Sequence, residues 1–540
     1  MNPYEVSAYR IRAVLFDFDG TLTRPGALDF SRIKHALKCP SDMPILEYIQ
    51  SIDDPADRRS AMLQLDQFEL EGARKSRPNP GAQHLVQWVK SLGLSVAVIT
   101  RNSMGSVVRA LENFDRIGPG DFDLIITRDT DVAPKPSGDG IVWAAQQLGI
   151  ACAEILEVGD YLFDPQAGLA AGALTALLDP DNDPRLVETA CHFRISRLDD
   201  LRSIIRAGVP LAAGKLPNDL LEQYLAELKA QDPSILIHPG VGEDVAAVRV
   251  QEEEVLVLKS DPITFTCDAM GQYAVSVNAN DIATSGAVPR WFLTTLLFPP
   301  GTSPSQVRQV MAELGQVCTR LKITLCGGHT EITDAVRRPV VIGMMAGTVR
   351  QRDLIEKKNM RQGDTVLMTK QVAVEGISII ARDFQKLLTD KGISTGEIEI
   401  AKKMLDQISI LPEARSAGRR EGVSAMHDVT EGGLATALAE LSSAGGCKIA
   451  VDMETIPIAE LTRRICNAVG VDPLGLIGSG SLLICCRPEH AERLCRKIRS
   501  EGIAVTPIGR VLEKGNAVEA FENGRPATWP TFAVDEITKL

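Results

Sequence analysis

The stretch Phe16-Asp17-Phe18-Asp19-Gly20-Thr21-Leu22-Thr23 closes a short apolar run, AVLFDF, from Ala13 to Phe18. A run of this length, bounded by Asp and Gly, reads as a strand covered on both faces, as in a parallel α/β sheet. Residues i and i+2 of a strand point the same way, so Asp17 and Asp19 are expected to face one site at the strand's C-terminal end. Open α/β sheets bind ligands there. Adjacent carboxylates repel one another unless a cation lies between them, and a hard, oxygen-seeking ion such as Mg²⁺ meets that need. Gly20 lets the backbone turn tightly beside a ligand.

Working outward, SVAVIT (Ser95 to Thr100), DLIITR (Asp123 to Arg128) and EILEVG (Glu154 to Gly159) read as further strands of the same kind, with helical patterns between them. Thr100 ends the second strand, Lys135 lies in a PKPSGDG loop, and Asp160 and Asp164 lie in GDYLFD after a later strand. A long insertion, about residues 25–77, reads as charged helices forming a cap over the strand ends. These parts suit phosphoryl transfer. Asp17 is the carboxylate nucleophile, and Asp19 the acid that protonates the leaving oxygen and then activates water. Thr100 and Lys135 hold the phosphoryl oxygens, while Asp17, Asp19, Asp160 and Asp164 surround the metal. Asp164 reads either as a neighbour of the metal or as a helix cap.

With four motifs in this order, residues 10–205 resemble the haloacid dehalogenase phosphatases, in their phosphoglycolate-phosphatase-like branch. The resemblance implies a Rossmann-like parallel sheet with a helical cap and a small phosphate ester as substrate.

The whole chain has 540 residues, a length that suggests three or four domains. Its formal charge of −12 and 4% aromatic content disfavour a nucleic-acid surface, which needs positive charge or stacking platforms. No apolar run approaches the roughly 20 residues of a membrane-spanning helix. The eleven cysteines are irregularly spaced with no CxxC pair, so they are expected as small buried residues of a reduced, cytoplasmic protein. The N-terminus lacks a secretory signal pattern. RAGVPLAAGKLP (Arg206 to Pro217) reads as a linker, followed by an α/β segment to about residue 350, a second to about 520, and a tail, 521–540.

This second half lacks both the GxxxxGK[ST] and GxGxxG fingerprints. It carries acidic and Gly-rich loops instead: GVGEDVAAV (Gly240 to Val248), KSDP (Lys259 to Pro262), NANDIATSGAVP (Asn278 to Pro289), CGGHTEI (Cys326 to Ile332) and HDVTEGGL (His427 to Leu434). Carboxylates from several loops suit a polyphosphate held through Mg²⁺, since acidic loops alone repel ATP.

These loops resemble the superfamily of AIR synthase, thiamine-monophosphate kinase, selenophosphate synthetase and the hydrogenase-maturation HypE proteins, and HypE most. The resemblance spans about residues 216–520. It implies a dimerising, ATP-binding α/β domain (218–350) and a C-terminal α/β domain (351–520). It also implies Asp244, Asp261 and Asp281 as Mg²⁺–phosphate ligands, with Gly242, Asn280, Gly327, Gly328 and His329 lining the nucleotide and Asp428 and Gly432 across the cleft. His427 is either a catalytic base or phosphate contact, or a residue that positions its loop.

Three motifs depart from HypE: His329 stands in GGHT for GGDT, Glu243 in EDVA for DDAA, and Glu431 in HDVTEGG for HDPTRGG. The final residues, DEITKL, lack HypE's acceptor cysteine, so the resemblance does not carry over its cyanide-ligand chemistry. The expectation is a bifunctional Mg²⁺-dependent homodimer, a phosphatase joined to an ATP-using module. The alternative is a phosphatase gated by a module that binds nucleotide without turnover.

Overall fold

The computed structural model describes residues 8–211, 214–228, 232–237, 247–418 and 421–540. Two compact units emerge, one formed by residues 1–212 with 300–309, the other by 213–299 with 310–540. All of the chain is mixed α/β, and no described helix is long and apolar enough to cross a membrane.

The first unit is built on six parallel strands: β1 (Ala13–Phe16), β2 (Ser95–Ile99), β3 (Leu124–Ile126), β4 (Ile155–Gly159), β5 (Leu174–Leu178) and β6 (Phe193–Ile195), in the order β3-β2-β1-β4-β5-β6. Every residue of β1, β4 and β5 is buried, which explains their unbroken apolar character. The sequence reading did not single out β5. Its LTALL run follows AAGA, and periodicity cannot separate a short buried strand from a helix there. Three helices, Phe30–Leu37, Ile45–Gln50 and Pro55–Lys75, occupy the insertion after β1 and pack a small core of their own around Ile33, Ile49 and Leu65. Chain order reverses about β1, so its tip and that of β4 lie at the position where such sheets take ligands.

In the second unit, one sheet has the order β10-β13-β11-β12-β7. Its members are β7 (Gly214–Lys215), β10 (Glu254–Ile263), β11 (Val288–Phe298), β12 (Thr324–Ile332) and β13 (Val340–Arg350); β8 (Ile235–Ile237) and β9 (Ala247–Val248) form a separate hairpin. The other sheet runs β15-β17-β14-β18-β16-β19-β20. It contains β14 (Thr365–Thr369), β15 (Val423–Asp428), β16 (Cys447–Asp452), β17 (Leu482–Cys486), β18 (Val505–Lys514), β19 (Val518–Glu522) and β20 (Arg525–Ala527).

The helix Met270–Thr284 packs on β10, β11 and β13 and also contacts β15. Buried almost all round, it uses small residues to let its neighbours approach. The final residues are docked rather than loose: the buried Asp535 carboxylate accepts from the amides of Gly432, at 2.6 Å, and Ile477, at 3.2 Å.

None of the eleven cysteines is disulfide-bonded, and eight are buried. Burial pushes the Cys466 thiol, in the helix Glu460–Val469, up to about 12, so it behaves as a small apolar residue.

Candidate active sites

β1 ends at Phe16, one residue before Asp17, and the chain then turns sharply through Phe18–Leu22. The two-residue alternation expected for Asp17 and Asp19 is therefore broken by the turn. Asp17 stays at the strand tip, its amide donating to Val158 O of β4 at 2.7 Å. Asp19 is carried to one side, where its carboxylate accepts from Asn102 Nδ2 and, at 3.4 Å, from Thr23 Oγ1. Gly20 sits at φ +87°, and a Cβ there would lie 2.0 Å from Asp160 Oδ2. Only glycine lets the turn come this close to the β4 carboxylate.

Lys135 Nζ reaches Asp17 Oδ1 at 2.5 Å and Asp164 Oδ1 at 2.6 Å, in a buried ion-paired triad. Oxygens of Asp17, Asp160 and Asp164 all lie within 4.8 Å of one another. Asp160 also accepts from Thr21 Oγ1 at 3.2 Å. Asp164 joins the carboxylate group and also accepts from Tyr161 N at 2.9 Å in the first turn of its helix. Thr100 is buried just past β2, next to the β1 tip. Asn102 was not singled out from the sequence, although its position two residues after Thr100 was a usable signal. Arg101 was also missed; it pairs with Glu47 of the insertion at 2.5 Å.

Burial raises the Asp17 carboxyl well above its usual range, and Asp164 and Asp160 raise it further while Lys135 opposes them. Burial also lifts Asp19 to about 6 and, with repulsion from Asp164, Asp160 to about 7. Burial alone would lower Lys135, but Asp164 and Asp17 hold it firmly charged. Stability contributed by the raised carboxyls is full below the ordinary carboxyl range and is lost as pH rises to about 7 at Asp160. A Mg²⁺ ion bound by these oxygens would compete with protons for them. Its affinity should then tighten about tenfold between pH 6 and pH 8. Calorimetric titration of the full chain at both pH values checks this, and a pH-independent affinity removes Asp160 from the metal shell.

In the second unit, the NAND stretch lies in the buried helix Met270–Thr284, so each polar side chain needs a partner. Asn278 finds three: its Oδ1 accepts from Asp261 N at 2.9 Å, and its Nδ2 donates to Ala274 O at 2.9 Å and Asp261 O at 3.3 Å. Asn280 finds two, donating to Ile408 O at 2.8 Å and accepting from Ile410 N at 2.9 Å. Its expected place was beside a nucleotide, but its amide pins the helix to a neighbouring loop. Asp281 is different, for its Oδ2 is buried with no hydrogen-bond partner. Burial, then repulsion from Asp428, lifts its pKa to about 8. Asp428, at the end of β15 and 2% exposed, likewise has a buried oxygen without a hydrogen-bond partner, and burial raises its pKa. Asp261, on β10, shares Lys259 with Asp281, its Oδ2 standing 3.0 Å from Lys259 Nζ. The structure thus joins Asp261 and Asp281 through Lys259 and leaves Asp428 near enough to repel Asp281, although the three do not crowd as Asp17, Asp160 and Asp164 do. It also adds Lys259, which the sequence reading quoted in KSDP and left without a role.

The remaining predicted residues lie as follows. Gly242 and Asp244 are outside the described residues. Gly327 and Gly328 lie within β12, where a Cβ on Gly328 would meet Thr294 O at 2.2 Å, so this glycine allows two strands to approach. His329 is exposed, with Glu331 3.6 Å away. Gly432 gives its amide to Asp535. His427 faces Glu440, 3.1 Å from its Nε2, and the bond holds the Glu440 carboxyl low. His427 and Asp428 are successive strand residues, so they point to opposite faces.

Fold and site geometry together define a hydrolase domain of haloacid dehalogenase type followed by an AIR synthase-type pair of domains. Residues 11–172 match the haloacid dehalogenase-like hydrolase family. Residues 242–349 and 361–520 match the N-terminal and C-terminal domains of AIR synthase related proteins. The chain is an enzyme that joins these parts. A putative hydrogenase expression/formation protein of Methanocaldococcus jannaschii is 24% identical over 310 residues, 56% of this chain and 87% of that protein. The carbamoyl dehydratase HypE of Cupriavidus necator is 24% identical over 283 residues, 51% of this chain and 78% of that protein. An uncharacterized hydrolase of Saccharomyces cerevisiae is 29% identical over 196 residues, 36% of this chain and 89% of that protein. The crystal structure of Escherichia coli HypE shares the fold of the second half, with TM-score 0.50 and 20% identity, covering 60% of this chain and 98% of that one.

Proposed function

We propose that the first domain hydrolyses a small phosphate monoester through an aspartyl-phosphate, and that the second half uses ATP to phosphorylate or dehydrate a small acceptor. The observation that carries the first part is the Lys135 ammonium clamping Asp17 and Asp164 beside Asp160, at the point where strand order reverses. A hard, all-oxygen donor set of this size fits Mg²⁺, held by Asp17, Asp160 and Asp164. When bound, Mg²⁺ neutralises charge between the carboxylates and the phosphoryl oxygens.

An Asp17 oxygen bonds to phosphorus as the ester P–O bond breaks, and Asp19 gives its proton to the leaving oxygen. A carboxyl held at about 6 is well placed to donate near neutral pH. Asp19, now ionised, takes a proton from water, whose oxygen attacks phosphorus and frees Asp17 and phosphate. Thr100 and Lys135 hold the phosphoryl oxygens through both steps.

In the second half, the buried Asp281 oxygen, met by the Lys259 ammonium at 3.2 Å, and the Asp428 oxygen without a hydrogen-bond partner are what favour a cation, and hence a Mg²⁺-bound nucleotide, beside Asp261. Similarity to the carbamoyl dehydratase of Cupriavidus necator supports dehydration as the net reaction. The two sites act on different groups or on successive metabolites, because phosphorylating and dephosphorylating the same position would only consume ATP. Incubating the whole enzyme with ATP and candidate metabolites tests this, and phosphate release with no net organic product counts against it. In separate assays, full-length Asp17→Asn should lose aryl phosphatase activity and keep ATP-linked phosphate release, with Asp281→Asn showing the reverse. Loss of both activities in either variant contradicts two independent sites.

Leu256 and Leu258, 42% and 56% exposed, share one face of the β10–β13 pair with the 43% exposed Met344. An apolar sheet face of this kind supports the homodimer reading. Leu258→Glu should convert a dimer to a monomer at micromolar concentration, as read by light scattering on a sizing column. An unchanged mass moves the contact elsewhere.

A further inference from the structure

Lys259 and Asp261 are two residues apart on β10 and point to the same side. That side is the one the helix Met270–Thr284 covers, since Asp261 N donates to Asn278 on the helix. Lys259 sits on a strand at the sheet edge, where a long cationic side chain normally reaches for water. Here it turns inward instead, placing Nζ 3.0 Å from Asp261 Oδ2 and 3.2 Å from Asp281 Oδ2. Lys259, its side chain 35% exposed, gives up rotamer freedom to hold both contacts.

We propose that Lys259 is a tethered cation of this site: its ammonium takes the place of one divalent ion between Asp261 and Asp281, leaving the Asp428 side for the metal. The inference rests on the Mg²⁺–nucleotide reading of the second half and specifies how that site is loaded. Distance supports it. Mg²⁺ binds oxygen at about 2.0–2.1 Å, so an ion bridging the two oxygens that Lys259 now touches would displace the ammonium. The buried Asp428 oxygen has no hydrogen-bond partner, a cost that a bound ion would relieve. Lys259 thereby fixes both the number of metal ions and the end of the cluster from which a polyphosphate is held.

The test counts bound Mn²⁺, as a substitute for Mg²⁺, by electron paramagnetic resonance of the full-length protein with and without a non-hydrolysable ATP analogue. The difference between the two counts isolates nucleotide-dependent ions from any ion at the first site. Lys259→Met should add one nucleotide-dependent Mn²⁺ per chain, and Lys259→Arg, which keeps the charge, should add none. Lys259→Gln repeats the neutral arm should the methionine variant not fold. Equal counts in wild type and both neutral variants, or the same gain with arginine, overturn the proposal while leaving a metal–nucleotide site intact. No nucleotide-dependent Mn²⁺ in the wild type removes that underlying reading, and the proposal with it.

Discussion

Asp17→Asn should reduce release of phosphate from an aryl phosphate by roughly 10⁴-fold or more, because a neutral amide replaces the proposed carboxylate nucleophile. The amide keeps the size of the carboxylate, and its oxygen still accepts from Lys135. Loss of folding is not the expected cause, since substitution removes one of several crowded carboxyls whose pKa values are already pushed up by burial. Thermal unfolding of the metal-free variant should therefore be no lower than that of the wild type. Asp19→Asn is the milder lesion, about 10²–10³-fold, and should be felt least with a good leaving group that needs little protonation. Retained turnover in Asp17→Asn would overturn the nucleophile assignment.

Asp281→Asn should separate binding from stability in the opposite direction to an ordinary core mutation. Metal-free Asp281 is buried, repelled by Asp428 and only partly compensated by Lys259. Replacing it with a neutral amide relieves that cost, so the metal-free protein should be stabilised, by about 1 kcal/mol or more. The same change removes a proposed ligand of the Mg²⁺–nucleotide pair and should cut ATP-linked phosphate release by roughly 10²-fold or more. Differential scanning and nucleotide titration of the full-length protein read the two effects together. A variant that loses stability and still binds nucleotide would make Asp281 a structural residue.

Both predictions show where sequence reasoning succeeded and where it stopped. Asp17, Thr100 and Asp160 were legible because each follows a short apolar strand, while Lys135 stood out in the PKPSGDG loop beyond β3. Strand tips of a parallel sheet converge whatever the loops between them do. Asp19 was placed less well, because its position depended on where β1 ends, and the turn at Phe18–Leu22 overrides two-residue alternation. In the second half, NAND announced polar chemistry without saying which residue carries it. Asn278 and Asn280 have the same look in sequence as site residues, and only the surrounding backbone shows that their amides hold the helix in place.

From its order of residues alone, this chain determined its division into a phosphatase-like half and an AIR synthase-like half, and the acidic motifs of each. Those features are local: apolar run length, turn residues and charged positions at fixed offsets. Tertiary structure alone decided which carboxylates share a lysine, which glycines a neighbouring backbone requires, and that Lys259 turns toward Asp261 and Asp281. Whether a buried charge is met depends on side chains brought from strands and helices far apart in the chain, and desolvation energy is set by that assembled surrounding.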